Sequence, residues 1–174
     1  MGKRSSFERI ERDFYPTPLE AIIPLLPHLR KGSTFIEPCA GDGRLIDHLR
    51  AHGHKCTYAV DVEPIWPVAI VGDATLMTYN IAGSDCFITN PPWGRKLLHP
   101  IIENLSEQLP TWLLFDADWM HTKQSGTFLR RLVKIVSIGR VKWIEGSKMT
   151  GKDNCCWYLF DKPHDNKITF FGRG

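Results

Sequence analysis

The sequence predicts an α/β protein built on a mostly parallel sheet that ends in an antiparallel hairpin. Three observations carry that expectation. Short apolar runs alternate with segments of helical periodicity from residue 34 onward, the pattern of a parallel sheet with crossover helices. Three acids, Glu37, Asp61 and Asp73, each stand at or just past the end of a successive apolar run. The last two apolar runs have no helical segment between them, which suits a hairpin.

The elements follow in order. A helix is expected over Pro18–Leu29, with Thr17 as its cap and Pro18 in its first turn. Pro24 and Pro27 would mark a break in it. Thr34–Glu37 reads as a strand. Arg44–His52 reads as a helix, with Leu45, Ile46 and Leu49 on one face and Gly53 as its stop. Tyr58–Val62 is the next strand. The link Glu63–Pro67 contains two prolines and is too short for a full crossover helix. Ala69–Val71 and Cys86–Thr89 read as strands, Lys96–Leu109 as a helix and Trp112–Phe115 as a strand. A helix is expected near Thr127–Val133. Val141–Ile144 and Cys156–Phe160 then form the expected hairpin across a Gly-containing link.

The chain has 174 residues, 43% of them hydrophobic, which suits one domain spanning the whole length with a loose first dozen residues. No stretch approaches the roughly 20 apolar residues of a membrane span. The N-terminus has no apolar signal core, so a cytoplasmic protein is expected. Five cysteines without a Cys-x-x-Cys pair argue against zinc and against a disulfide framework. His48 and His52 share a helical face, but a solvated face accounts for them better than a metal does. Cys155 and Cys156 are adjacent in a strand and should point to opposite faces.

The net charge of +3 identifies no partner by itself. Its distribution is more informative. Residues 95–152 hold ten Lys or Arg against five acids, a net of +5, whereas residues 1–94 hold nine against eleven, a net of −2.

Four local patterns carry chemistry. Glu37-Pro38-Cys39-Ala40-Gly41-Asp42-Gly43 is a strand end followed by a Gly-rich turn that opens a helix, where backbone can approach a ligand closely. Asp61, ending the second strand, suits the two hydroxyls of a ribose. Asp73, after the third, suits an adenine amino group. The fourth is Asn90-Pro91-Pro92-Trp93, directly after an apolar strand. Two prolines stop the ladder and stiffen the turn. The Asn90 carboxamide and a neighbouring carbonyl then stand at fixed positions beside a flat indole, an arrangement suited to a planar substrate carrying an NH2 group.

Asn90-Pro91-Pro92-Trp93 resembles the signature of the S-adenosylmethionine-dependent amino-methyltransferases that modify adenine. Phe35–Gly43 resembles their cofactor motif, and Asp13–Pro18 their N-terminal motif. The motif order resembles the gamma class and the small stand-alone DNA adenine methyltransferases of phages and prophages, over roughly residues 13–160. The resemblance implies a Rossmann-like class I methyltransferase sheet and S-adenosyl-L-methionine as cofactor. It implies that Glu37, Cys39, Gly41 and Gly43 line the cofactor and that Tyr15 and Thr17 close over its methionine portion. Asp61 would hold the ribose and Val62 the adenine face, with Asp73 and the Ala74 N–H at the ring edge. Asn90 Oδ1 and the Pro91 carbonyl would accept the hydrogens of the target amine, Pro92 would stiffen the turn, and Trp93 would stack on the base.

The implied partner is nucleic acid, double-stranded DNA with a flipped adenine, and no metal. Two departures stand out: the link after Asp61 is very short, and a large target-recognition domain is missing. Arg95, Lys96, Lys123, Lys148 and Lys152 are left as the candidate phosphate contacts, so a short or relaxed recognition sequence is expected. Similar motifs occur in RNA adenine and protein glutamine methyltransferases. A non-catalytic nucleic-acid-binding module on the same fold is a further alternative.

Overall fold

The structure is a computed structural model, and it describes residues 15–144, 146, 150–165 and 167–173. Eight strands form one sheet: β1 (Thr34–Glu37), β2 (Lys55–Asp61), β3 (Ile70–Val71), β4 (Cys86–Thr89), β5 (Thr111–Asp116), β6 (Leu132–Arg140), β7 (Asn154–Phe160) and β8 (Thr169–Phe171). Their order is β3-β2-β1-β4-β5-β7-β6-β8. Strands β1 to β5 run parallel, and β7 lies antiparallel between β5 and β6. The expected α/β sheet with an antiparallel C-terminal pair is therefore the one observed.

Side chains alternate between two apolar layers, as the pleat dictates. On one face Phe35, Ile88, Leu114 and Trp157 pack with Leu45, Ile46 and Leu49 of α2 (Arg44–Ala51) and with Ala21 and Ile22 of α1 (Leu19–Ile22). On the other Ile36, Phe87, Leu113 and Tyr158 pack with Leu98, Ile101, Ile102 and Leu105 of α3 (Arg95–Gln108). Burying a side chain such as Leu49 or Leu105 stabilises by about 1.5–3 kcal/mol. Cys155 falls in the first layer and Cys156 in the second, as expected of neighbours on a strand. Among the described residues no helix is long and apolar enough to cross a membrane.

Four expectations need correction. The helix over Pro18–Leu29 is only α1 followed by a 3-10 turn at Leu26–His28, because Pro24 and Pro27 remove the donors that would continue it. Thr17 does not cap it; Pro18 occupies that position. The first strand of the hairpin is Leu132–Arg140, not Val141–Ile144, and Lys123–Arg131 forms 3-10 turns in place of the expected helix near Thr127–Val133. Two irregularities explain the misreading. Pairing with β7 skips one residue between Leu132 and Lys134 and another between Ser137 and Gly139. Each bulge breaks the period-two alternation by which a strand is recognised. Strand β8, parallel to β6, had no counterpart among the expected elements.

The order reverses between β1 and β4. Strands β2 and β3 continue on one side of that point, and β5 and the C-terminal strands on the other. The carboxyl ends of β1 and β4 therefore flank the crevice where open α/β sheets bind ligands.

Candidate active site

Glu37 closes β1 and is buried at 1% exposure. Its Oε1 accepts from the Cys39 N–H at 3.3 Å, whereas Oε2 is buried and has no protein partner. Burial pushes its carboxyl well above the usual range, the Cys39 N–H opposes that rise, and the Asp61 charge adds to it. Burial and then the Glu37 charge push the Cys39 thiol up as well, so Cys39 is a neutral thiol.

The Gly-rich turn is tied to β2. Ala40 N–H donates to the Val60 carbonyl at 2.8 Å, and Gly41 N–H donates to Asp61 Oδ2 at 2.8 Å. The other Asp61 oxygen accepts from Glu63 N–H at 2.9 Å. The short link after Asp61 then folds back over the turn, where Ile65 and Trp66 both donate to the Gly41 carbonyl. Gly43 adopts φ 81° and lies under the Trp66 ring, whose nearest atom would be 2.7 Å from an added Cβ. Its need for glycine therefore comes from this left-handed turn and from Trp66.

Asn90 follows β4. Its Nδ2 donates to the Tyr15 carbonyl at 3.1 Å and to Thr17 Oγ1 at 3.2 Å. Its Oδ1 accepts from Trp93 Nε1 at 3.3 Å, and the same indole N–H donates to the Leu114 carbonyl at 3.1 Å. Pro91 is buried beside it, and Trp93 is half-buried. Trp143 meets Trp93 edge-on with ring centres 5.7 Å apart and lies 6.2 Å from the Tyr15 ring. Gly151 leaves room for that indole, since an added Cβ would come within 3.0 Å of it.

An open cleft lies between these groups. It brings together Tyr15, Thr17, Glu37, Cys39, Gly41, Asn90 and Pro92, and also Asp42 and Leu45, which sequence reasoning alone does not select. The position of Asp42 between two turn glycines was the available signal. Outside its lining stand Gly43, Asp61, Val62, Asp73, Ala74, Pro91 and Trp93. Val62 is exposed, and Asp73 Oδ1 accepts from the Thr75 N–H and hydroxyl. Ala74 is buried, with its carbonyl accepting from Asn104. Of the candidate phosphate contacts, Arg95 is paired with Asp116 at 3.1 Å, and Lys96, Lys123 and Lys152 are exposed. Lys148 lies outside the described residues.

No family model matches the chain, and no curated protein does. Solved structures do. A Listeria monocytogenes protein assigned to class I of the S-adenosylmethionine-dependent methyltransferases superposes with a TM-score of 0.60 at 9% identity, covering 97% of this chain and 68% of that one. The methyltransferase subunit of a type I restriction-modification system from Streptococcus thermophilus gives 0.58 at 12% identity, covering 91% and 47%. A TehB-like S-adenosylmethionine-dependent methyltransferase from Corynebacterium glutamicum gives 0.52 at 16%, covering 83% and 87%. The fold is that of class I S-adenosylmethionine-dependent methyltransferases. Within this methyltransferase fold the cleft sits at the reversal point of the strand order, between the Gly-rich turn and the Asn-Pro-Pro-Trp turn. The compared methyltransferases differ in length, the Streptococcus protein being about twice as long as this chain. Identities this low carry the architecture only; a fold does not name a substrate.

Proposed function

We propose that the protein transfers a methyl group from S-adenosylmethionine to the exocyclic amine of adenine in double-stranded DNA. The observation that carries this reading is the Asn90 carboxamide, held by Tyr15, Thr17 and Trp93 in the wall of a cleft that also holds an unpartnered Glu37 oxygen. Glu37 suits a cationic ligand, because a buried carboxylate oxygen without a partner is costly until a positive group meets it. S-adenosylmethionine is doubly suited, with an ammonium and a sulfonium, and when bound it supplies an activated methyl group.

Tyr15, Thr17, Glu37, Cys39 and Gly41 would hold its methionine portion. Asp61 spends one lone pair per oxygen on a backbone N–H and keeps others for ribose hydroxyls. Exposed Val62 would cover the adenine face, and Asp73 with the Ala74 N–H its edge; Gly43 acts through the shape of the turn.

Adenine's amine is a weak nucleophile because its lone pair is delocalised into the ring. Asn90 Oδ1 and the Pro91 carbonyl accept its two hydrogens, favour a pyramidal nitrogen and stabilise the positive charge that grows on it. With S-adenosylmethionine bound, the nitrogen lone pair would form the new N–C bond as the C–S electron pair departed with the sulfur, and the surplus proton would pass to water while Asn90 Oδ1 and the Pro91 carbonyl held the amine. Positioning supplies much of the remaining acceleration. A base in a duplex must leave the stack, and the Trp93–Trp143–Tyr15 cluster offers it an aromatic surface. Lys96, Lys123, Lys148, Lys152 and Arg95 would meet phosphates.

The test is to incubate the protein with methyl-labelled S-adenosylmethionine and, separately, duplex DNA, single-stranded DNA, RNA or protein, and to identify the modified group. N6-methyladenine in duplex DNA is expected; label in RNA or on glutamine would replace the substrate assignment. Asn90→Ala should lower the rate about 100- to 1000-fold, the usual cost of one preorganised acceptor. Because Asn90 also anchors Tyr15 and Thr17, calorimetry should show cofactor affinity falling by about tenfold. A rate within about threefold of the parent would remove Asn90 from the chemistry.

A further inference from the structure

The indole N–H of Trp93 does something that stacking does not explain. It is a three-centre donor, to the Leu114 carbonyl on β5 at 3.1 Å and to Asn90 Oδ1 at 3.3 Å. An indole N–H only donates, and the Tyr15 carbonyl on the far side of the carboxamide only accepts. The orientation of Asn90 therefore follows from chemistry at both ends: Nδ2 faces Tyr15 and Oδ1 faces Trp93. The indole is itself held in place, packed against both core layers.

We infer that the Trp93 N–H is a positioning group that couples Asn90 Oδ1 to the main chain of β5, leaving the oxygen's other lone pair aimed at the substrate amine. The inference rests on the amino-methyl-transfer reading above and adds to it a requirement for a donor, which a ring alone does not meet. Phenylalanine keeps a planar face at this position and lacks the donor. Without it the Leu114 carbonyl loses this hydrogen bond, and the carboxamide is restrained only through Nδ2. The acceptor then spends part of its time turned from the amine, which lowers the rate of the chemical step and leaves DNA binding in place.

Two measurements test this. The first needs no substrate. In the full chain with 15N-labelled tryptophan, the indole proton of Trp93 is assigned by its disappearance in Trp93→Phe. Asn90→Asp presents it with a charged acceptor and should move it downfield; Asn90→Ala removes the acceptor and should move it upfield. A resonance that stays put in both variants would overturn the Trp93–Asn90 hydrogen bond, whatever the protein methylates. The second is steady-state methyl transfer to duplex DNA. Trp93→Phe should lower kcat about three- to tenfold, the worth of one neutral hydrogen bond, with KM for DNA within about twofold of the parent. An unchanged kcat with a raised KM would mean that Trp93 only stacks. A raised kcat/KM would mean that its N–H competes with the amine for Asn90. Either result overturns the positioning role. If the parent methylates no DNA, the substrate assignment fails separately, and the resonance shifts alone decide the hydrogen bond.

Discussion

Glu37 is a buried carboxyl whose chemistry departs from that of a free side chain. Its carboxyl is held well above the usual range by burial, with one oxygen unpartnered. The folded protein therefore binds a proton there more tightly than the unfolded chain does. Below the unfolded value of about 4.3 both states are protonated and folding gains fully from the group. As pH rises from there through the higher folded value, the unfolded chain ionises first and that stability is lost. Urea unfolding of the cofactor-free protein at about pH 5 and about pH 8 should show this loss in the parent and a smaller one in Glu37→Gln. Equal pH dependence in the two proteins would place the Glu37 carboxyl in water, contrary to its burial. Adding S-adenosylmethionine should offset the loss in the parent only, since the ligand's positive charge favours the carboxylate. Asn90 illustrates what was legible at this scale. Its type and place before two prolines are legible in adjacent residues, but nothing local announced that Tyr15, Thr17 and Trp93 would hold it.

At the scale of elements, the turn between β1 and α2 depends on a link that lies more than twenty residues away. Trp66 covers Gly43, donates to the Gly41 carbonyl and lies under the Arg50 guanidinium at 5.3 Å. The brevity of the Glu63–Pro67 link, an obstacle to a crossover helix, is what lays this indole over the turn. Gly43→Ala should cost about 1–2 kcal/mol for the left-handed backbone and about 1–3 kcal/mol for the overlap with Trp66. Thermal melting should therefore show a fall of at least about 4 °C in Tm. In a Trp66→Ala background the overlap disappears, so Gly43→Ala should cost less there; strict additivity of the two changes would contradict the packing. The same dependence on distant partners hid β6. Its bulges are stable because Ile135, Val136 and Ile138 are buried in the two layers, which local alternation does not reveal.

At the scale of the molecule, the basic excess of residues 95–152 lies in the half of the chain that follows the Asn-Pro-Pro-Trp turn. Arg95 is engaged with Asp116, whereas Lys123 is exposed and available to a phosphate. Lys123→Gln should weaken DNA binding about equally for unrelated sequences and reduce the salt slope by about 0.9, the share of a single neutralised phosphate. Anisotropy titrations at several salt concentrations would measure both. An unchanged slope, or a weakening confined to one sequence, would remove Lys123 from the proposed phosphate contacts. The sequence by itself determined the strands Thr34–Glu37 and Cys86–Thr89, the acids at successive strand ends and the Asn-Pro-Pro-Trp turn, because each is written in adjacent residues: apolar runs, and glycines and prolines that constrain their own backbone. Only the tertiary structure decided the order β3-β2-β1-β4-β5-β7-β6-β8, the seat of Trp66 on Gly43 and the hold of Tyr15 and Trp93 on Asn90. These depend on contacts between residues far apart in the chain, Tyr15 and Asn90 being 75 positions apart, and such contacts exist only once buried apolar surface has brought the strands together.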